Sequence, residues 1–328
     1  MRCSRRGVPF SIIFGCHDMT KRSLLSLLTT AASLAVAGLL PAQAQVAATS
    51  PAPIKLMAWN LEHFVDPFDD PYIQSQKEDD PEPKSDATLR LLTEALKRVN
   101  PDVLVVSEVE SDRALKLYLD SYIPKNEYAY YACAPAKEWY QNVVIASKLP
   151  IGEFVSFREM EIYNEMSKQS RNDVNSRLMA IDIKANANYN FTLYAVHLKA
   201  GAAEEDYLWR ERQTDLLKAD MDQRMKENPN TNIIVMGDLN YTPKDKEYPY
   251  FMESGATKLL DAFEKQGYPA THPSTGPRRD IDHIFLNAGM MKEVVPDSAT
   301  VALPLAMDEM SAITDHLPVV ISIIPSDK

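Results

Sequence analysis

IIVMGDLN, residues 233–240, is the stretch whose reading decides the fold. Four apolar residues run without interruption into Gly-Asp-Leu-Asn, and a strand that is apolar at every position is one buried on both faces. A polar group placed just past such a strand lies at the edge of the sheet. Five further clusters repeat the arrangement: Trp59-Asn60, Glu108-Val109-Glu110, His197-Leu198-Lys199, Asp280-Ile281-Asp282-His283 and Asp315-His316. Carboxylates, imidazoles and amides that converge at one sheet edge are the ingredients of a metal-assisted hydrolytic site.

The first residues read as an export signal. Lys21-Arg22, the apolar stretch from Leu24 to Leu40 and Ala42-Gln43-Ala44 supply its charged start, apolar middle and small-residue cleavage site, so residues 1–44 are expected to be an upstream extension and a cleaved signal peptide. Ser4-Arg5-Arg6 and Gly15-Cys16 offer weaker twin-arginine and lipoprotein readings. The expected location is exported, periplasmic or extracellular, with no membrane anchor after processing. Cleavage would leave 284 of the 328 residues, enough for one large domain. Five of the 35 basic residues and one of the 46 acidic ones lie in the leader, so the remainder carries a net charge near −15. That balance opposes nonspecific adhesion to polyanions but leaves room for a phosphate met by a metal ion and a few Arg. Of the three cysteines only Cys133 lies outside the leader, which excludes an intramolecular disulfide there.

Residues 45–53 read as a disordered tether and 54–325 as one domain. Strands are expected at 54–61, 102–107, 142–147, 178–184, 191–197, 232–237, 281–286 and 318–324. Helices are expected after Ser85 as N-cap, at 111–120 and from about 203 to 227. The acidic segment 66–82 reads as a loop that repels other anions or holds a structural Ca2+. Strands and helices interleave without a regular βαβ beat and without a Gly-rich phosphate loop, so a mixed-sheet α/β sandwich is the simplest architecture.

MAWNLEHF (57–64), NPDVLVVSEVE (100–110), QNVVIASKLPIG (141–152), AVHLKAG (195–201), IIVMGDLN (233–240), RRDIDHIF (278–285) and TDHLPV (314–319) follow one another in an order that resembles the endonuclease/exonuclease/phosphatase superfamily. That superfamily includes DNase I-like nucleases, exonuclease III-like repair enzymes, sphingomyelinases and inositol-phosphate phosphatases. The resemblance covers residues 54–325 and implies an α/β, DNase I-like fold: a four-layer sandwich with two facing mixed β-sheets inside and helices outside.

Asn60, Glu108 and Asp315 are the expected holders of Mg2+ or Mn2+; a buried Glu108 needs a partner, and a hard cation is one. Asp238 and Asn240, two residues apart, would project to one side if extended. Asp282 is placed to orient His316 and raise its basicity. Asp238 and the His316–Asp282 pair would position and deprotonate water, His197 and Asn240 would donate to the phosphate or the leaving group, and the resemblance assigns Glu138 to orient His197 and Arg177 to contact phosphate or brace the site. Arg278 and Arg279 are further phosphate candidates. Glu110 reads as a cap of the following helix, Lys199 as a solvated charge, His63 and His272 as surface or loop residues, and His283 as packed or turned outward.

The leading expectation is an exported, metal-dependent nuclease or phosphodiesterase that cleaves nucleic acid by in-line water attack, acting as a monomer without a stable protein partner. The alternative is a phosphatase or phospholipase C-type enzyme acting on inositol phosphates or lipid head groups. A nonenzymatic binding module conflicts with the retention of all the central polar residues.

Overall fold

Unbroken apolar runs need cover on both faces, and the fold supplies it by stacking two sheets and flanking them with helices. The structure is a computed structural model, and it describes residues 51–68, 81–136 and 139–327. The expected leader (1–44), most of the tether, most of the acidic loop and Glu138 lie outside the described residues.

The first half contains β1 (Ile54–Phe64), α1 (Asp86–Val99), β2 (Val103–Val109), α2 (Asp112–Tyr122), β3 (Tyr130–Cys133), β4 (Asn142–Ser147), β5 (Ile151–Ser156), β6 (Ile162–Asn164) and β7 (Gln169–Arg171). The second contains β8 (Leu178–Asn186), β9 (Tyr189–His197), α3 (Glu204–Glu227), β10 (Ile233–Asp238), α4 (Glu247–Glu253), β11 (Leu259–Asp261), β12 (Asp282–Asn287), α5 (Ala288–Met291), β13 (Thr300–Val301), α6 (Met307–Ser311) and β14 (Val319–Ile323). One six-stranded sheet runs β13-β14-β1-β2-β4-β3 and the other β11-β12-β10-β9-β8-β5. Both are mixed: β1 and β2 are parallel, as are β9 and β10, while their other neighbours are antiparallel. The edge strands β3, β5, β11 and β13 escape sequence reading because they are short or partly exposed and lack a long apolar run.

Alternation within β2 shows how the layers form. Val103 and Val105 face the second sheet, where they join Ile181, Leu193, Ile234 and Ile284; Leu104 and Val106 face outward onto Leu92, Leu96 and Leu119 of α1 and α2. On the other side Tyr194, Val196 and Val235 pack against Leu217 and Met221 of α3 and Phe251 of α4. Ser85 caps α1 by accepting from the Thr88 amide at 3.1 Å, and Asn100 closes the helix in the left-handed region. Ser111, rather than Glu110, caps α2. The Glu110 side chain is buried and accepts from the Asp66 amide at 2.8 Å. Among the described residues no helix is long and apolar enough to cross a membrane.

Lys218, buried on α3, donates to the Thr257 carbonyl, and burial lowers its pKa from 10.5 to about 8. Between those values the unfolded chain binds more protons, so this lysine's burden on stability is full below about pH 8 and lifts as pH rises toward 10.5. The stability of the protein relative to Lys218→Met is therefore expected to improve by about 3 kcal/mol across that window, an order-of-magnitude figure, measurable as the difference between the two melting curves at each pH. A flat difference would show that the lysine is solvated.

Candidate active site

Both parallel strand pairs end at the same edge of the sandwich. In the second sheet Asp238 of β10 pairs in register with His197 of β9 on one side and Asp282 of β12 on the other, which sets three of the expected residues in a row. In the first sheet Asn60 of β1 lies beside Ser107, one residue before Glu108, and the turn into β14 carries Thr314, Asp315 and His316. Cross-links hold this edge together. Trp59 Nε1 donates to the His316 carbonyl at 2.9 Å, Thr314 Oγ1 to the Asn60 carbonyl at 2.9 Å, and the Asp315 amide to Glu62 at 3.0 Å.

The two sheets meet through Asn60, whose Nδ2 lies 3.2 Å from Glu108 Oε1 and 3.1 Å from Asp238 Oδ2. Glu108 reaches this position by a bulge: Ser107 and Val109 oppose consecutive residues of β4, leaving Glu108 as the extra residue, in the left-handed region at φ 59°. The bulge breaks the period of two, which is why Glu110 does not share its face. Glu62, His63 and Asn240 also have positive φ, at 43°, 53° and 57°. Such backbone is uncommon away from glycine and costs strain, and four such residues meet at this one cluster.

Asp238 and Asn240 do not lie in extended geometry. The chain turns after Asp238, whose Oδ1 accepts the Asn240 amide at 2.9 Å, and Asn240 Nδ2 reaches the Leu198 carbonyl at 3.1 Å. The Asx-turn and the polar cluster are one feature. Lys199 is likewise not a solvated charge, because its ammonium donates to the Ala200 carbonyl at 2.6 Å and to Asp206 at 2.9 Å.

His316 donates from Nδ1 to Asp282 Oδ2 at 2.8 Å, and Thr271 Oγ1 donates to the same oxygen at 2.6 Å. The expected Asp282–His316 pair thus forms, and its carboxylate is itself held in place. The other ring nitrogen of His316 lies 3.8 Å from both Asp238 Oδ2 and Asp315 Oδ1. Burial opposes the charge on His316, but Asp282, Asp238 and Asp315 outweigh it and lift the pKa to about 10. Burial acts the other way on Asp238: it raises the pKa to about 6, with Asp282 adding to the rise and His316 and the Asn240 amide opposing it. His197 is held well below its usual value by burial and then by Arg177 and His316, so its imidazole is neutral. Its Nε2 lies 3.7 Å from Asp238 and 3.9 Å from Glu108, and its buried Nδ1 has no partner among the described residues.

Arg177 ends a short turn before β8. Its Nε is buried without a partner among the described residues, and burial lowers its pKa against the pull of Glu108, Asp173 and Asp238. Arg278 and Arg279 are exposed, and Arg279 pairs through its backbone with His272. Several contributors escape sequence reading. His272 is not a plain loop residue: its Nε2 lies 3.2 Å from Asp315 and its ring centroid 4.7 Å from that of His316. His63 is exposed, yet it pairs with the Tyr140 hydroxyl at 2.6 Å and stands 4.0 Å from Glu108. Gln141 Nε2 donates to Glu108 at 2.6 Å. Lys84, bonded to the Ile313 carbonyl, has a pKa lowered by burial and supported by Glu62, Asp315 and Glu108. Only the tertiary fold brings these residues in; a single signal was available, the run of polar and aromatic residues at 139–142 just before a buried strand. His283 is packed, lying between Asp261 and the Tyr241 carbonyl at 3.2 Å each. Burial works against its charge, but Asp261 outweighs burial and raises its pKa.

The donor set at this edge consists of carboxylates and carboxamides joined by imidazoles. Ligand atoms of His272, Asp315 and His316 lie within 4.8 Å of one another, as do those of Asp238, Asp282 and His316. Asn60 Nδ2 is the sole hydrogen-bond link between Glu108 and Asp238 in the described set, and Asp238 has its pKa raised first by burial and then by the neighbouring carboxylate of Asp282. Such a site suits a hard divalent cation.

The fold matches solved structures of low sequence identity. Truncated TDP2 of Caenorhabditis elegans is 15% identical with a TM-score of 0.55, over 83% of this chain and 98% of that one. The human Nocturnin catalytic domain with bound sulfate anion is 18% identical with a TM-score of 0.55, over 84% and 95%. TDP2 of D. rerio, solved with a single-strand DNA product, is 16% identical with a TM-score of 0.53, over 83% and 98%. No curated protein sequence matches this chain. A family model, the Endonuclease/Exonuclease/phosphatase family, matches residues 57–316 and so takes in every strand-end residue from Asn60 to His316. With that span matched and two mixed sheets between helical layers, the chain belongs to the Endonuclease/Exonuclease/phosphatase family, whose named activities are hydrolyses of phosphoester bonds.

Proposed function

We propose that the protein is a metal-dependent phosphodiesterase acting on nucleic acid. The observation that carries this reading is the in-register row His197, Asp238 and Asp282 facing His316 across the sandwich, with Asn60 joining Asp238 to Glu108. Nucleic acid as substrate is supported by a similar fold solved with a single-strand DNA product, and a phosphate group more generally by another solved with a sulfate, a tetrahedral anion like phosphate.

Asp238, buried and with a pKa near 6, accepts the proton of the attacking water, since a base is most effective when its pKa lies near the working pH. His316, cationic and fixed by Asp282, stabilises the charge that grows on the phosphate. Neutral His197 donates from Nε2, and the second hydrogen of Asn240 Nδ2 is left for a phosphate oxygen. Arg177 adds fixed positive charge. Glu108, Asn60 and Asp315, whose amide donates to Glu62, would hold Mg2+ or Mn2+, which would supply neutralisation of a nonbridging oxygen and of the leaving oxyanion.

Cation binding has a readout apart from activity. Mg2+ or Mn2+ at about a hundredfold its Kd is expected to stabilise the protein by roughly 2.7 kcal/mol, a rise of about 5 °C or more in melting temperature for a domain of this size. Glu108→Ala should lose the rise. An equal rise in the variant would place the ion elsewhere.

The function is tested by incubating the protein, beside an Asp238→Ala control, with single- and double-stranded DNA and RNA and with bis-p-nitrophenyl phosphate, with and without Mg2+, Mn2+ or Ca2+. Metal-dependent cleavage of nucleic acid, lost in the control, is the expected result. Cleavage of the small diester alone would move the substrate to lipid or inositol phosphates, and inertness toward all of them would overturn the reading. Export is part of the proposal, supported by the charged, apolar and small-residue pattern of residues 21–44, and expression in a bacterial host followed by fractionation and N-terminal sequencing tests it: a start at residue 45 outside the cytoplasm is expected.

A further inference from the structure

We infer that Trp139, Tyr140 and His63 form a shelf on which a nucleobase flanking the scissile phosphate stacks, which would make the substrate a base-bearing diester. The inference deepens the phosphodiesterase reading and rests on it.

The rings of Trp139 and Tyr140 are stacked, with centroids 5.5 Å apart and planes 22° from parallel, and the His63 ring lies 5.7 Å from Tyr140. Tyr140 is buried and serves as the floor, Trp139 is half-buried, and the side chain of His63 is 46% exposed. The shelf is tied to the phosphate site by one side chain. Trp139 Nε1 donates to Gln141 Oε1 at 2.7 Å, and Gln141 Nε2 donates to Glu108 Oε2 at 2.6 Å. The Tyr140 hydroxyl meets His63 Nδ1 at 2.6 Å, and the His63 amide reaches Glu108 Oε2 at 3.3 Å. The His63 ring therefore stands 4.0 Å from Glu108, the carboxylate assigned to the metal ion, and Trp139 is joined to that carboxylate through the single side chain of Gln141. None of these rings has a part in the hydrolysis itself.

Aromatic rings at the surface of a phosphate site suit two kinds of group. A nucleobase stacks on a flat ring whatever its sequence identity, whereas a quaternary ammonium is bound by rings that enclose it from several sides. The near-parallel Trp139–Tyr140 pair makes a platform, not an enclosure, and so favours the base.

Trp139 also reports on its own occupancy, because the other two tryptophans, Trp59 and Trp209, are buried. In Mg2+, adenosine 5′-monophosphate is expected to quench the intrinsic fluorescence and ribose 5-phosphate is not. By calorimetry the nucleotide should bind about tenfold more tightly than the sugar phosphate, the order of one base–aromatic stack. Trp139→Ala should erase that preference and Trp139→Phe should keep most of it, a pattern that mere loss of the Gln141 contact would not produce. Equal affinity for the two ligands, absence of quenching, or a preference that survives Trp139→Ala would overturn the shelf, as would quenching by phosphocholine but not by the nucleotide. Diester cleavage without any base preference would remove the shelf and leave the phosphodiesterase; nucleotide quenching by a protein inert toward all diesters would do the reverse.

Discussion

Replacing Asp238 by Asn is expected to lower kcat at least about 10²-fold while leaving the melting temperature unchanged or higher. The carboxylate is 2% exposed and its pKa is raised to about 6, first by burial and then by Asp282. A buried acid whose folded pKa exceeds its unfolded value contributes stability below about pH 4 that is lost as pH rises through about 6, so at neutral pH its ionised form burdens the fold. Asn keeps an oxygen for the Asn240 amide at 2.9 Å but cannot take a proton from water. Rate and stability should therefore separate, as they do where a site is organised for chemistry at the expense of the fold. Steady-state kinetics on bis-p-nitrophenyl phosphate and a melting curve without added metal provide the check. Activity within threefold of the parent would move the proton acceptor to another group, and a large fall in melting temperature would show Asp238 to be a structural acceptor.

Gly237→Ala is expected to have the largest effect on stability, about 4 kcal/mol or more, or roughly 10 °C and upward in melting temperature. Gly237 sits in the middle of its sheet at φ 141°, between Val196 of β9 and His283 of β12. A Cβ built there would stand 1.9 Å from the Val196 carbonyl oxygen. Backbone on both sides leaves it no room to give. Relief would require separating β9 from β10, which would pull His197 away from Asp238. Ala at Gly267, where a Cβ meets nothing within 4 Å, is the comparison, since it carries positive φ without the clash. A thermal loss at position 237 no larger than at 267 would refute the argument.

Much of the molecule was legible because burial on both faces leaves a mark in one dimension. The runs ending at Asn60, His197 and Asp238 announced their strands and the edge they share, and Ser85 and Asn100-Pro101 bounded a helix by local chemistry. The Asp282–His316 pair was legible too, because both residues lie within motifs that follow one another in a known order. The position of Glu108 at this edge was legible but its geometry was not, since a bulge is a feature of strand pairing and leaves no trace in the periodicity of one strand. Glu110 was misread as the cap of α2 because Ser111, one residue on, supplies the capping oxygen, and the extended reading of Asp238 and Asn240 failed because the turn after β10 places Asn240 at positive φ.

Sequence alone determined the layered α/β architecture, the family and the list of polar strand ends, since each of these follows from burial period, helix caps or motif order. Only the tertiary structure decided which residues join them. His272 reaches Asp315, Gln141 reaches Glu108 and Lys84 approaches Glu62 across 43, 33 and 22 positions of chain. Only the tertiary structure, too, sets Asp238 and His316 far from their ordinary pKa values, because desolvation and the charge of a neighbour depend on distances in space that no local pattern of residues encodes.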